Sequence, residues 1–195
     1  MIDVSFVTIK KVRQREMKIT KTKLEGCLLI EPDVFGDQRG FFLETYRMSR
    51  YEELASITLP FIQDNHSRSL KGILRGLHYQ KTRPQGKLAR VVQGEVFDVA
   101  LDIRPGSPTF GKWEGHLLSG ENKLQFWMPP GFAHGFLVLS EFADFEYKCT
   151  EYYDPDLEGT ILWNDPDLGI DWPKNIEIKT SEKDANAPRF KDLQF

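Results

Sequence analysis

Four histidines, His66, His78, His116 and His134, are the side chains of this 195-residue chain best suited to moving a proton near neutral pH. They are also the first candidates for a metal. Metal sites usually bring ligands in tight pairs, such as His-x-His or a histidine three to five positions from another ligand. Here no two histidines stand closer than twelve positions. The spacing therefore argues against a metal centre. His78 is the strongest candidate. It sits in Gly72-Ile-Leu-Arg-Gly-Leu-His-Tyr-Gln80, with Arg75 three positions before it and Lys87 nine after. If that stretch is a strand, strict alternation puts Arg75, Leu77 and Tyr79 on one face and Leu74, Gly76, His78 and Gln80 on the other. Only a bulge at Gly76 would bring Arg75 and His78 to the same side. His134 follows a tight turn in Pro129-Pro-Gly-Phe-Ala-His-Gly-Phe136. Tyr147, Tyr152 and Tyr153 cluster after it and read, by themselves, as aromatic packing at a rim.

The elements that must position these residues are mostly strands. Cys27–Ile30, Phe41–Tyr46, Leu88–Val92, Val96–Ile103, Trp113–Leu118, Leu124–Met128, Phe136–Leu139 and Phe145–Thr150 are short apolar or alternating runs, punctuated by Gly and Pro. In Val96–Ile103 a period of two predicts a half-buried strand, with Val96, Asp98, Ala100 and Asp102 alternating with Phe97, Val99, Leu101 and Ile103. Ser49-Arg-Tyr-Glu52 has the pattern of a capping box and predicts a helix over Tyr51–Ile57. A second short helix is expected near Ser181–Ala187. Many short strands with few helices predict a single all-β sandwich or barrel.

Composition narrows the function classes. Twenty-six Lys and Arg against 29 Asp and Glu give a net charge of −3, which argues against a dedicated nucleic-acid binder. No apolar run approaches the roughly 18 residues of a membrane span. The N-terminus shows no secretory h-region. Cys27 and Cys149 cannot build a disulfide framework and read as small buried hydrophobes in a reducing cytoplasm. Residues 1–23 differ from the rest, and residues 1–16 within them precede the working domain. The stretch carries a local positive excess, and Met17 within it opens a second plausible start. Residues 1–16 are read as a dispensable basic extension before one domain at 17–195.

The motifs then converge. Pro-x-Gly-x-x-His, met at Pro129–His134, is similar to the second motif of the cupin barrels. Eight motifs occur in order: Gly36-Asp-Gln-Arg-Gly-Phe-Phe42, Gln63-Asp-Asn-His-Ser67, Leu74-Arg-Gly-Leu-His-Tyr-Gln80, Gln85-Gly-Lys87, Gly94-Glu-Val-Phe-Asp-Val99, Ser107-Pro-Thr-Phe-Gly111, Pro130-Gly-Phe-Ala-His-Gly-Phe136, and Trp163-Asn-Asp165 with Trp172-Pro173. Over residues 17 to 190 the chain resembles the dTDP-4-dehydrorhamnose 3,5-epimerase family, which acts in dTDP-L-rhamnose synthesis. The resemblance implies a cupin-like β-barrel (jelly roll) with a few short helices. It also implies a homodimer, no metal and no cofactor. The implied substrate is a dTDP-4-keto-6-deoxyhexose, whose C3 and C5 hydrogens are both alpha to the C4 ketone. Epimerisation there needs a base, an acid on the opposite face and a cation at the enolate oxygen. The resemblance makes His78 the base, Asp184 the carboxylate paired with it, Tyr147 the opposite-face acid and Lys87 the cation. It makes Arg39, Arg75 and Lys183 substrate-binding cations, with Glu44, Gln63, Asn65 and Glu158 as further contacts. It stacks Tyr153 on the thymine and sets His134 near the sugar. Arg39 lies on a segment that, in the family, crosses to the other subunit. His66 and His116 match no role. A sister enzyme inverting only C3, or a silent sugar-nucleotide-binding cupin, would share much of this pattern.

Overall fold

The computed structural model describes residues 17–195. The strands, in chain order, are β1 (Lys18–Lys21), β2 (Leu28–Glu31), β3 (Val34–Asp37), β4 (Gly40–Leu43), β5 (Gln63–Leu70), β6 (Leu74–Gln80), β7 (Lys87–Gln93), β8 (Glu95–Asp102), β9 (Trp113–Ser119), β10 (Gln125–Met128), β11 (Phe132–Val138), β12 (Phe142–Cys149) and β13 (Glu158–Thr160). Two short helices, α1 (Met48–Ala55) and α2 (Glu182–Ala185), complete the fold. Six strands form one sheet in the order β1-β2-β10-β7-β12-β5, and five form a second in the order β13-β6-β11-β8-β9. All strand pairs in both sheets are antiparallel. The architecture is all-β, as the short strands predict, and cupin-like, as the resemblance implies.

Three apolar layers hold the sheets. The inner layer joins them face to face: Ala89, Val91, Phe126, Met128, Ala143 and Phe145 from the six-stranded sheet meet Val96, Ala100, Leu118, Phe132, Phe136 and Val138 from the other. Outside the six-stranded sheet, Tyr51 and Ala55 of α1 close with Met17 and Ile57 over Ile30, Leu88 and Trp127. Outside the five-stranded sheet, Ile161 and Trp172 from the C-terminal segment cover Leu74, Leu77, Val99, Leu101 and Leu137. Burying apolar area on both sides of each sheet is the main source of stability here, at roughly 25 cal/mol per Å².

Two local expectations are corrected. The half-buried reading of Val96–Ile103 fails, because β8 lies inside its sheet with both faces covered; Asp98 and Asp102 are fully buried. Asp102 survives there by accepting from the Arg104 Nε (2.9 Å), the Ser107 hydroxyl (2.6 Å) and the Thr109 hydroxyl (2.6 Å). The capping box also fails. α1 starts at Met48, its N-cap is Arg47 and no side chain caps it. Burial of Tyr51 and Ala55, rather than Ser49, sets its position. The one-turn α2, by contrast, lies within the stretch where a short helix is expected, and the Ser181 hydroxyl caps it by accepting from the Asp184 N–H at 3.1 Å.

Candidate active site

Between the sheets lies a cavity of about 270 Å³ lined by Asn65, His66, Ser67, Arg75, His78, Lys87, His134, Phe136 and Tyr147. β6 supplies both Arg75 and His78, which strict alternation forbids. The register shows how. His78 lies opposite His134 and Arg75 opposite Phe136, so three steps on β6 match two on β11. The strand bulges between them, and both side chains line the same cavity. The bulge depends on two facing glycines. Gly76 has φ +124°, and a Cβ built there would lie 2.5 Å from the Gly135 Cα and 2.8 Å from the His134 carbonyl oxygen.

His78 Nε2 lies 2.6 Å from Asp184 Oδ1. The two residues are 106 positions apart and meet because α2 packs against β6. The Gly76 N–H also donates to Asp184 Oδ2, at 3.4 Å. Burial works to raise the Asp184 pKa, but the His78 hydrogen bond and charge, with the Gly76 and Ser181 contacts, outweigh it and hold it below the ordinary carboxylate range. Asp184 is thus an anion, and it fixes the Nε2–H tautomer of neutral His78. Nδ1 is left as the basic nitrogen, with the Glu158 carboxylate 3.9 Å away.

Glu158 organises the rim. It ion-pairs with Lys183 and accepts from the Tyr153 hydroxyl at 3.2 Å. Gln63 ties the same rim to β5, accepting from the Tyr153 N–H at 2.8 Å and donating to the Asn65 Oδ1 at 3.0 Å.

The opposite wall carries Lys87 and Tyr147. Lys87 Nζ lies 5.8 Å from the Tyr147 ring centroid and makes no ion pair among the described residues. Burial lowers the Lys87 pKa, against the opposing influence of Cys149, Asp98 and Glu158. Burial pushes the Tyr147 phenol up to about 12, so it keeps its proton at neutral pH. His134 is buried, and its Nε2 is 2.7 Å from Asp98 Oδ1. Desolvation lowers the His134 pKa more than Asp98 raises it. Sequence reasoning missed Asp98 as a partner. Its signal was a carboxylate sharing a strand face with Val96 and Ala100.

The fold thus brings together Gln63, Asn65, Arg75, His78, Lys87, His134, Tyr147, Tyr153, Glu158, Lys183 and Asp184. It does not bring Arg39 or Glu44 to the cavity. Arg39 sits at the tip of the β3–β4 hairpin, its side chain 90% exposed and bonded to Asp37. Glu44 lies beside Arg47 (3.5 Å) and Arg50 (3.6 Å). Of the two unassigned histidines, His66 lines the cavity mouth near Asp144, and His116 stacks edge-on against Phe126 of the inner layer. Among the described residues, no three His, Cys, Asp or Glu side chains gather as metal ligands.

A histidine–carboxylate base, a buried ammonium and a protonated phenol around one cavity can take a proton from a carbon next to a ketone and return one. Comparison with known proteins names the family. The family model described as dTDP-4-dehydrorhamnose 3,5-epimerase matches residues 21–192. The chain belongs to the dTDP-4-dehydrorhamnose 3,5-epimerase family. It is 55% identical to the enzyme of that name from Pseudomonas aeruginosa over 176 residues, covering 90% of this chain and 97% of the relative. Its fold matches the crystal structure of the Legionella pneumophila dTDP-6-deoxy-D-glucose-3,5-epimerase in complex with dTDP-4-keto-L-rhamnose. The TM-score is 0.89 and the identity 57%, over 91% of this chain and 95% of that one. It also resembles a 3'-monoepimerase from Streptomyces bikiniensis in complex with dTDP-quinovose, with TM-score 0.82 and 37% identity over 86% and 85% of the two chains. The epimerase family's fold is therefore present here almost end to end.

Proposed function

We propose that the chain epimerises dTDP-4-dehydro-6-deoxy-D-glucose at C3 and C5 to dTDP-4-dehydro-L-rhamnose, as a step of dTDP-L-rhamnose synthesis. The observation that carries the reading is the 2.6 Å His78–Asp184 pair, whose histidine lines the same cavity as Lys87 and Tyr147. His78 Nδ1 takes the proton alpha to the ketone. Asp184 stabilises the imidazolium that results, as a carboxylate does in a catalytic triad. Lys87, desolvated and without a carboxylate partner among the described residues, places its positive charge at the enolate oxygen, where low-dielectric surroundings strengthen the interaction. Tyr147 returns a proton on the opposite face. His134, locked by Asp98, holds the sugar. Arg75, Lys183, Gln63, Asn65 and Glu158 bind the nucleotide and sugar, and Tyr153 stacks on the thymine.

Arg39 and Glu44 enter this reading through a homodimer. The β3–β4 hairpin exposes Phe35, Phe41 and Phe42 at 48%, 60% and 69%. Such an apolar projection suits burial in a second subunit, where Arg39 would meet the partner's substrate. We read the enzyme as cytoplasmic, and no described helix is long and apolar enough to cross a membrane. The likeness to the 3'-monoepimerase favours a second reading, inversion at C3 alone. Incubation with dTDP-4-dehydro-6-deoxyglucose in deuterated water separates them. Deuterium at both C3 and C5 with formation of the L-sugar supports the first, deuterium at C3 alone the second, and none refutes both.

A further inference from the structure

We propose that Ser69, on β5, is a positioning residue that aims the Arg75 guanidinium at the diphosphate of the sugar nucleotide; the proposal rests on the epimerase reading above. Arg75 stands apart from the neighbouring arginines. Arg68 is neutralised by Asp144 at 2.7 Å and Arg90 by Glu146 at 2.6 Å. Arg75 has no carboxylate within ion-pair distance among the described residues, yet it lines the cavity. An unneutralised guanidinium in a cavity is suited to an anion.

Its one side-chain hydrogen bond among the described residues is from Nε to the Ser69 Oγ, at 2.9 Å. That bond uses the inner edge of the guanidinium and leaves the two terminal nitrogens, the pair that matches two phosphate oxygens. Ser69 is itself a rigid anchor. It is 5% exposed and held in the β5–β12 ladder opposite Ala143. The bond also spans the two sheets, since β5 is the edge of one and β6 belongs to the other. A long arginine side chain is thereby ordered before the ligand arrives, so binding need not order it. Ser69 falls two residues beyond the Gln63–Ser67 motif, and only the hydrogen bond reveals it.

The test measures dTDP binding by calorimetry, with kcat and KM for the sugar nucleotide, in Ser69→Ala, Ser69→Thr, Arg75→Ala and the double variant Ser69→Ala/Arg75→Ala. The expected result is a Kd and KM raised about 3- to 10-fold in Ser69→Ala, with kcat within twofold. Ser69→Thr, which keeps the hydroxyl oxygen, should restore both. In the Arg75→Ala background the Ser69→Ala change should have no further effect. Unchanged binding in Ser69→Ala overturns the proposal, and so does an equal loss with or without Arg75. Should Ser69→Ala fail to fold, Arg75→Lys decides, because it keeps the charge but lacks the Nε donor. It should reproduce the affinity loss, and wild-type affinity in Arg75→Lys overturns the role of the bond. Wild-type protein that does not bind dTDP at all would instead remove the epimerase reading.

Discussion

Replacing Asp184 by Asn tests the base directly, and the structure says why so small a change should matter. Oδ1 faces His78 Nε2 at 2.6 Å and Oδ2 faces the Gly76 N–H at 3.4 Å. A carboxylate accepts on both sides; an amide accepts on one and donates on the other. If the introduced amide keeps its oxygen toward His78, its NH2 opposes the Gly76 N–H. If it turns, its NH2 donates to Nε2, which puts the imidazole proton on Nδ1 and removes the basic nitrogen. In both orientations the negative charge that stabilises the imidazolium is gone. The corresponding change in a serine-protease triad lowers kcat by about 10⁴-fold. Here we expect a loss of about 10³-fold, or ~4 kcal/mol of transition-state stabilisation at 1.36 kcal/mol per decade. The assay is NMR of deuterium entering C3 and C5, alongside dTDP affinity. Affinity should stay within twofold, because Asp184 reaches His78 and Gly76 rather than the open cavity. An Asp184→Asn enzyme exchanging within tenfold of wild type would refute the pairing as the source of basicity.

Three further outcomes follow from the same structure. Tyr147→Phe should keep abstraction and lose correct reprotonation, giving solvent deuterium in the substrate with incomplete epimerisation; because the phenol titrates at about 12, the wild-type rate should show no alkaline loss from this group below roughly pH 11. Complete loss of exchange, or none, would contradict the acid role. Gly76→Ala should destabilise by more than about 2 kcal/mol, since its Cβ collides with backbone rather than with a movable side chain, and should lower the midpoint of urea unfolding. Deleting residues 1–16, which lie outside the described residues, should leave activity, the number of subunits in the assembly and melting temperature unchanged provided Met17 stays. Met17 is 6% exposed against Tyr51 and Trp127, so a deletion that also removes it should lower the melting temperature by several degrees.

Short apolar or alternating runs gave β7, β8, β9 and β10 to within a residue at each end, because buried strands write their faces into the sequence, while β12 begins three residues before the run that marked it. β5 did not show itself as a strand. Its sequence, Gln63-Asp-Asn-His-Ser-Arg-Ser-Leu70, has little apolar periodicity, since an edge strand bordering a polar cavity buries few apolar groups. The His78–Asp184 pair was legible only by resemblance: nothing in spacing connects residues 78 and 184, and the contact is made by a four-residue helix near the other end of the chain. Asp98 was visible but misjudged, because alternation reveals which residues share a face and not whether that face is wet. Arg39 and Glu44 had to be read from the family motif, and one chain does not carry them to the cavity.

The bulge in β6 has an effect beyond turning side chains. In an uninterrupted ladder each main-chain amide is committed to its neighbour strand, so none is free for chemistry. One surplus residue releases one amide, and at Gly76 that amide is given to Asp184. That donor to Asp184 is therefore written in chain length as well as in the glycine that lets the strand bulge. Substitution cannot probe it cleanly, because every residue except proline keeps the N–H while any Cβ at Gly76 meets the backbone of His134 and Gly135 and disturbs the bulge itself. Removing the residue outright would give a regular ladder with Arg75 and His78 still on one side, and would take away only that donor. An enzyme shortened by this one residue would show how much of the proton-transfer machinery is main chain.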